Sequence, residues 1–180
     1  LAAQGFAKEE MRVAGLVREG SAGRGDRDLF HNRLLFPILD PEGRVMAFGG
    51  RVLDDGTPKY LNSPEGPQFT KRRLLFGLAE ARVAATREKY FVVVEGYTDV
   101  MGLMAAGIDS AVACMGTSLT TEQIRLLRRW APEVKLCFDA DAAGRALFES
   151  RDIAAVTSAE NFAVTVEPRG GRPQPSGPIV

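Results

Sequence analysis

Glu95 ends the apolar run Phe91-Val92-Val93-Val94, and Asp99 follows it across Gly96-Tyr97-Thr98. A second pair, Asp139 and Asp141, follows the run Leu136-Cys137-Phe138. Carboxylates gathered in one place repel, and remain ionised together at neutral pH only beside a cation. Oxygen ligands with no histidine or thiolate among them suit a hard divalent ion, Mg2+ or Mn2+, whose shell water and phosphate oxygens complete. His31 is the sole histidine, so a histidine-based metal site or triad cannot be built from these residues.

Each acid also has a plainer use. Asp99 suits the first turn of a helix, where the dipole favours an anion. Asp139 suits an N-cap, with Asp141 a solvated neighbour. Glu95 has no capping reason to stand there, and glutamate is a poor strand former. A phosphohydrolase-like domain, with Asp139 as phosphoryl-accepting nucleophile, is a second chemistry open to the same residues. Neither a Walker loop nor a dinucleotide fingerprint is present.

These acids require strands that end in one place. Apolar runs over 91–94, 110–115, 134–138 and 162–166 alternate with helical patterns over 97–106, 121–130 and 142–155. That alternation predicts a parallel sheet covered on both faces, with ligands beyond the carboxyl ends of its strands. Gly96 is expected to permit a sharp turn that brings Asp99 near Glu95. Thr120 with Gln123 forms a capping box, and Pro132 stops that helix.

The first half reads differently. Residues 8–19 have helical spacing, 20–28 form a glycine-rich loop, and runs around Pro41-Glu42-Gly43 form a hairpin. Residues 54–69 read as a long irregular loop, and the pattern from 70 to 90 as a helix with Leu75, Leu78, Ala79 and Val83 on its apolar stripe.

With 180 residues, 45% hydrophobic and 26% charged, the composition is that of a globular chain and excludes disordered and membrane-spanning classes. Residues 1–90 carry a net charge of +3 and residues 91–180 a net charge of −3. Cys114 and Cys137 each stand inside apolar segments and read as reduced core thiols, which fits a cytoplasmic setting. The chain opens on Leu1 and shows no secretory signal, which reads as an excised piece of a longer protein. The tail after Glu167 is rich in proline and glycine and is expected to be disordered.

Glu95-Gly96-Tyr97-x-Asp99 and Asp139-x-Asp141-x-x-Gly144 resemble the toprim domain shared by bacterial primases, topoisomerases and some nucleases. NRLLFPILDPEGRVMAFGGRVL, PKYLNSPEGPQFTKRRLLFGL and AVACMGTSLTTEQIRLL resemble the catalytic core of bacterial replicative (DnaG-type) DNA primases, a similarity running from Asp28 to Asp152. The resemblance implies an α/β fold, a toprim-type parallel sheet flanked by helices over 90–167. A smaller basic α+β subdomain over 1–89 would precede it, and the tail 168–180 would follow.

The activity implied is synthesis of short RNA primers from ribonucleoside triphosphates on single-stranded DNA, by divalent-metal-assisted nucleotidyl transfer. Glu95 would act at the reacting centre, while Asp99, Asp139 and Asp141 would hold two or more Mg2+ or Mn2+ ions. Arg33, Arg51, Lys59 and Lys71 would contact template or nucleotide phosphates. The RNA–DNA hybrid would be the product, at a cytoplasmic replication fork with no membrane partner. The family's zinc module and helicase-binding region have no counterpart here, so zinc is not expected and helicase docking would use other regions. The family also carries further acids in an Asp-Pro-Asp setting, and no carboxylate follows Glu167. That departure keeps a catalytically silent nucleic-acid-binding module as the alternative.

Overall fold

Valine and phenylalanine favour a pleated, buried backbone, and Tyr90–Val94 forms the second of four parallel strands. The computed structural model describes residues 1–20, 25–116 and 119–138, together with the backbone of 163–166. Asp139, Asp141, the helix expected over 142–155 and the tail lie outside the described residues.

In chain order the elements are α1 (Lys8–Val13), β1 (Val17–Arg18), β2 (Arg27–Asp28), β3 (Arg33–Leu39), β4 (Val45–Val52) and β5 (Tyr60–Asn62). They continue as α2 (Leu78–Glu88), β6 (Tyr90–Val94), α3 (Tyr97–Ala105), β7 (Ala111–Ala113), α4 (Thr121–Leu127), β8 (Glu133–Leu136) and β9 (Ala163–Val166). The chain divides into two compact units, Leu1–Leu39 with Arg44–Thr70 and Asp40–Gly43 with Lys71–Val180. The division after Thr70 puts α2 and Lys71 in the second unit, ahead of the boundary at 89 suggested by the sequence.

In the first unit, β3, β4 and β5 form an antiparallel sheet in that order. The expected hairpin is present, and Pro37, which has no N–H to give, lies in the outer strand β3. The sequence reading missed β5, a three-residue strand inside a proline-rich segment, because it is held by the ladder of β4 rather than by its own propensity. The helix expected over 8–19 ends at Val13. Gly15 takes φ +66°, its N–H donates to the Arg12 carbonyl and the Leu16 N–H to the Met11 carbonyl, a Schellman stop. A Cβ at Gly15 would stand 2.7 Å from Pro64 Cδ, so a side chain is excluded by contact as well as by φ. Residues 17–18 and 27–28 then pair as a short antiparallel ladder, where the sequence suggested helix and loop.

In the second unit the strand order is β7-β6-β8-β9, all parallel. Phe91 and Val93 of β6 enter one core cluster with Leu78, Ala81 and Ala85 of α2 and Ile124 and Leu127 of α4. Val94 enters another with Val100 of α3, and Val92 and Leu103 pack against it. The sheet is therefore covered on both faces, as the continuous apolar strands predict. Val83, expected on the stripe of α2, is 69% exposed. The helix begins only at Leu78, so its buried face is Leu78, Ala81 and Ala85, and Leu75 reaches the core from the segment before it. Gly77 enters α2 at φ +82°, with its ideal Cβ position 3.1 Å from the Ala111 carbonyl oxygen. The capping box of α4 is complete: Gln123 N–H donates to Thr120 Oγ1, and Thr120 N–H donates to Gln123 Oε1.

Candidate active site

The path of the chain fixes where the sheet can hold a ligand. From β6 it runs through α3 to β7 on one side, then through α4 to β8 on the other. The order therefore reverses at β6, with α3 and α4 on opposite faces, and a crevice opens beyond the carboxyl end of that strand. Glu95 is the first residue past β6 and lies in that crevice, half-buried.

Neighbouring strands frame it. The Cys114 N–H donates to the Val94 carbonyl at 3.3 Å, and the Cys137 N–H to the Val93 carbonyl at 2.9 Å. Both cysteines are free thiols, as the sequence suggests. Burial pushes the Cys114 thiol up to about 12, and the negative charge of Glu95 pushes the same way. The Glu95 carboxylate is thus within electrostatic reach of a strand end inaccessible to water. Nothing in the sequence signalled that two thiols flank this acid, because their positions depend on strand order.

Asp99 caps α3. Its Oδ2 accepts the Gly96 N–H at 3.1 Å, satisfying a donor at the helix start, and its charge lies in the first turn. Glycine has no side-chain acceptor, so the reciprocal arm of a capping box is missing. Gly96 itself has φ −128° and ψ 168°, an extended conformation open to any residue, and an added Cβ would meet Asp99 Oδ2 at an ordinary 3.5 Å. The turn at Gly96 therefore does not depend on glycine's conformational freedom, contrary to the sequence expectation. What brings Asp99 beside Glu95 is its own hydrogen bond to the turn.

Among the described residues no group of three or more potential ligands gathers. The described share of the expected ligand set is Glu95 and Asp99, oxygen donors at a partly open strand end, which fits a hard divalent cation and suits no softer one. Asp139 and Asp141 fall outside the described residues, immediately after Phe138.

Three of the four expected cations come together at one end of the antiparallel sheet. Arg51 of β4 stands directly opposite Leu34 on one side and Tyr60 on the other, and is exposed. Lys59 is exposed beside it, with Nζ 6.0 Å from the Tyr60 ring centroid. Arg33 is partly committed to the fold: Nη2 donates to the Pro58 carbonyl at 2.7 Å, and Nη1 lies 3.3 Å and 3.4 Å from the Gly50 and Lys59 carbonyls. It thereby holds the backbone that carries Lys59. Lys71 belongs to the second unit, half-buried in a 3-10 turn, Lys71–Arg73. The Lys71 and Leu74 carbonyls accept from Gln123 Nε2 at 2.9 and 2.8 Å, and the Arg72 carbonyl from Thr120 Oγ1 at 2.7 Å. Phe76, expected in the core, packs edge-on to Tyr97 at 4.8 Å, while Tyr60 keeps 40% of its surface exposed. The sequence reading passed over Arg18, Arg27 and His31, which share a hollow in the first unit; the placement of two arginines on either side of a glycine-rich loop was the available signal.

Comparison with known proteins gives two adjoining matches. Residues 1–82 match the N-terminal domain of the DNA primase catalytic core, and residues 92–168 match the toprim-like family. A DNA primase of Synechococcus elongatus is 49% identical over 156 residues, covering 83% of this chain and 22% of that protein. One from Halalkalibacterium halodurans is 50% identical over 137 residues, covering 76% of this chain and 22% of that protein. The chain thus spans about a fifth of the length of these relatives. Among solved structures, a DNA primase domain from Pseudomonas aeruginosa superposes with a TM-score of 0.80 at 42% identity, covering 91% of this chain and 52% of that one. A DnaG primase catalytic domain bound to single-stranded DNA superposes with a TM-score of 0.78 at 39% identity, covering 95% and 55%.

Proposed function

The chain belongs to the bacterial DNA primase family, and on that premise we propose that it carries the primer-synthesising centre, joining ribonucleoside triphosphates on a single-stranded DNA template. The observation that carries the reading is Glu95 at the point where strand order reverses, half-buried and held by an Asp99-capped turn. A rigid strand end that presents an ionisable acid to a crevice is suited to proton transfer from an attacking hydroxyl or to holding a cation.

Glu95, Asp139 and Asp141 are the residues that would hold divalent metal, two or more Mg2+ or Mn2+ ions, with Asp99 beside them. When bound, such ions neutralise charge on the triphosphate and activate the attacking 3′ hydroxyl. The chain's own part is orientation. Asp99 fixes the turn after β6, and the Cys114 and Cys137 amides lock that strand between its neighbours. Arg51, Lys59 and Lys71, with the remaining donors of Arg33, would draw in backbone phosphates of template or nucleotide, an attraction tolerant of sequence and weakened by salt. No helix among the described residues is long and apolar enough to cross a membrane, and docking to a replicative helicase would fall to parts of the parent protein other than these residues.

The test is template-dependent incorporation of labelled ribonucleotides with Mg2+ or Mn2+, comparing the wild type with Glu95→Gln and Asp139→Asn. Oligoribonucleotides made by the wild type and lost in both variants are expected. Tight binding of single-stranded DNA and of metal without any incorporation would instead favour a silent nucleic-acid-binding module, and a trapped phosphoryl group on Asp139 would favour a hydrolase.

A further inference from the structure

Arg18 and Arg27 occupy the same rung of the β1–β2 ladder, so two guanidinium groups stand directly opposite each other on one face. Like charges at that position destabilise a ladder, and this ladder has only two rungs to resist it. Neither side chain is neutralised: among the described residues no hydrogen bond or ion pair ties Arg18, Arg27 or His31. Their neighbours differ. Arg12 is held by Asp26 at 2.7 Å, and Arg33 by backbone carbonyls.

The unpaired groups border a concavity. Arg18, Arg27, Asp28 and His31 line a hollow of about 390 Å³. A second of about 380 Å³ shares Arg18, Asp28 and His31 and continues past Asn32, Arg33 and Thr57. Its other acid, Asp54, is already used, accepting from Asn32 Nδ2 at 2.6 Å and from the Gly56 N–H at 2.9 Å. Two hollows with a common wall make a trough whose cations outnumber its uncommitted acids. Planar forks of this kind match phosphate oxygens two at a time.

We propose that this trough seats the backbone of a nucleic-acid single strand, with one phosphate bridging Arg18 and Arg27 and the next lying over His31 toward Arg33. The proposal rests on the template-binding reading above and extends it to a face of the first unit that the motifs did not indicate. A free nucleotide offers the same phosphate chemistry, but each hollow is at the small end of ligand-site volumes, and their continuity fits a polymer better than one compact ligand.

The experiment measures fluorescence anisotropy of a labelled oligodeoxythymidine against salt concentration, using the whole chain. Each phosphate contact to a single strand contributes about 0.7 to the slope of log affinity against log salt, so Arg18→Gln with Arg27→Gln is expected to flatten it by about 1.4. Lys8→Gln with Arg87→Gln, which removes the same charge from exposed helix positions, is expected to leave the slope unchanged. Asp28→Asn, which removes the acid, is expected to tighten binding. An unchanged slope in the arginine variant, or equal flattening in the control, overturns the proposal. So does loss of ATP binding in the arginine variant with an intact DNA slope, which would make the hollow a nucleotide site. Failure of the wild type to bind the oligonucleotide at all would instead refute the template-binding reading on which this rests.

Discussion

Gln123 offers the sharpest test of how the second unit is held together. It is fully buried, and its amide makes three hydrogen bonds: Nε2 donates to the Lys71 and Leu74 carbonyls, and Oε1 accepts the Thr120 N–H. Gln123→Met keeps the side chain's length and nearly its volume, so it removes the polar contacts without opening a cavity. It leaves one amide N–H and two carbonyls without their partners. Each orphaned group costs about 1–3 kcal/mol, and carbonyls with a second lone pair fall at the lower end, so the expected loss is about 3 kcal/mol. With a urea m-value of about 2 kcal/mol/M, the midpoint should fall by about 1.5 M. Trp130, the sole tryptophan, packs against the core cluster that contains Ile124 and Leu127, so its fluorescence follows this unit's unfolding directly. A loss below about 0.5 kcal/mol would refute the reasoning, because it would mean that water replaces the amide at no cost. The same substitution loosens the turn carrying Lys71, so DNA affinity should fall along with stability.

Two further outcomes follow from individual side chains. With its thiol pushed up to about 12 by burial and by Glu95, Cys114 should resist a disulfide reagent at pH 8 until the protein unfolds; modification of both cysteines at free-thiol rates in the native state would contradict that burial. The Ser110 hydroxyl donates to Glu88 at 2.9 Å and, with Arg87, holds that carboxyl below its ordinary 4.5. A depressed folded-state value gives stability that is present above the unfolded value and lost as pH falls through the folded one. Ser110→Ala should therefore raise the Glu88 titration midpoint seen by NMR and shrink the drop in stability between pH 5 and pH 3, as a flattened acid limb in urea titrations would record.

The parallel sheet was legible because strands buried on both faces must be apolar throughout, and Phe91–Val94 and Val134–Leu136 read that way without tertiary information. The capping box at Thr120 was equally legible, since its two hydrogen bonds span only three residues. Glu95 stood out because nothing local explains an acid at the end of such a strand. Where the sequence reading failed, the deciding contacts came from elsewhere in the chain. The strand β5 depends on β4, the end of α1 on the contact of Gly15 with Pro64, and the exposure of Val83 on a helix that begins at Leu78.

The sequence by itself determined which residues could do chemistry, because a carboxylate's preference for hard cations and a guanidinium's for phosphate are properties of the side chains alone. It also determined the alternation of strand and helix, because periodicity is a local record of which faces are buried. Only the tertiary structure decided that Glu95 lies where the strand order reverses, that the amides of Cys114 and Cys137 flank it, and that Arg18 and Arg27 share one rung over a hollow. Strand order and register arise from pairing between segments distant in sequence, and no property of a single segment encodes them.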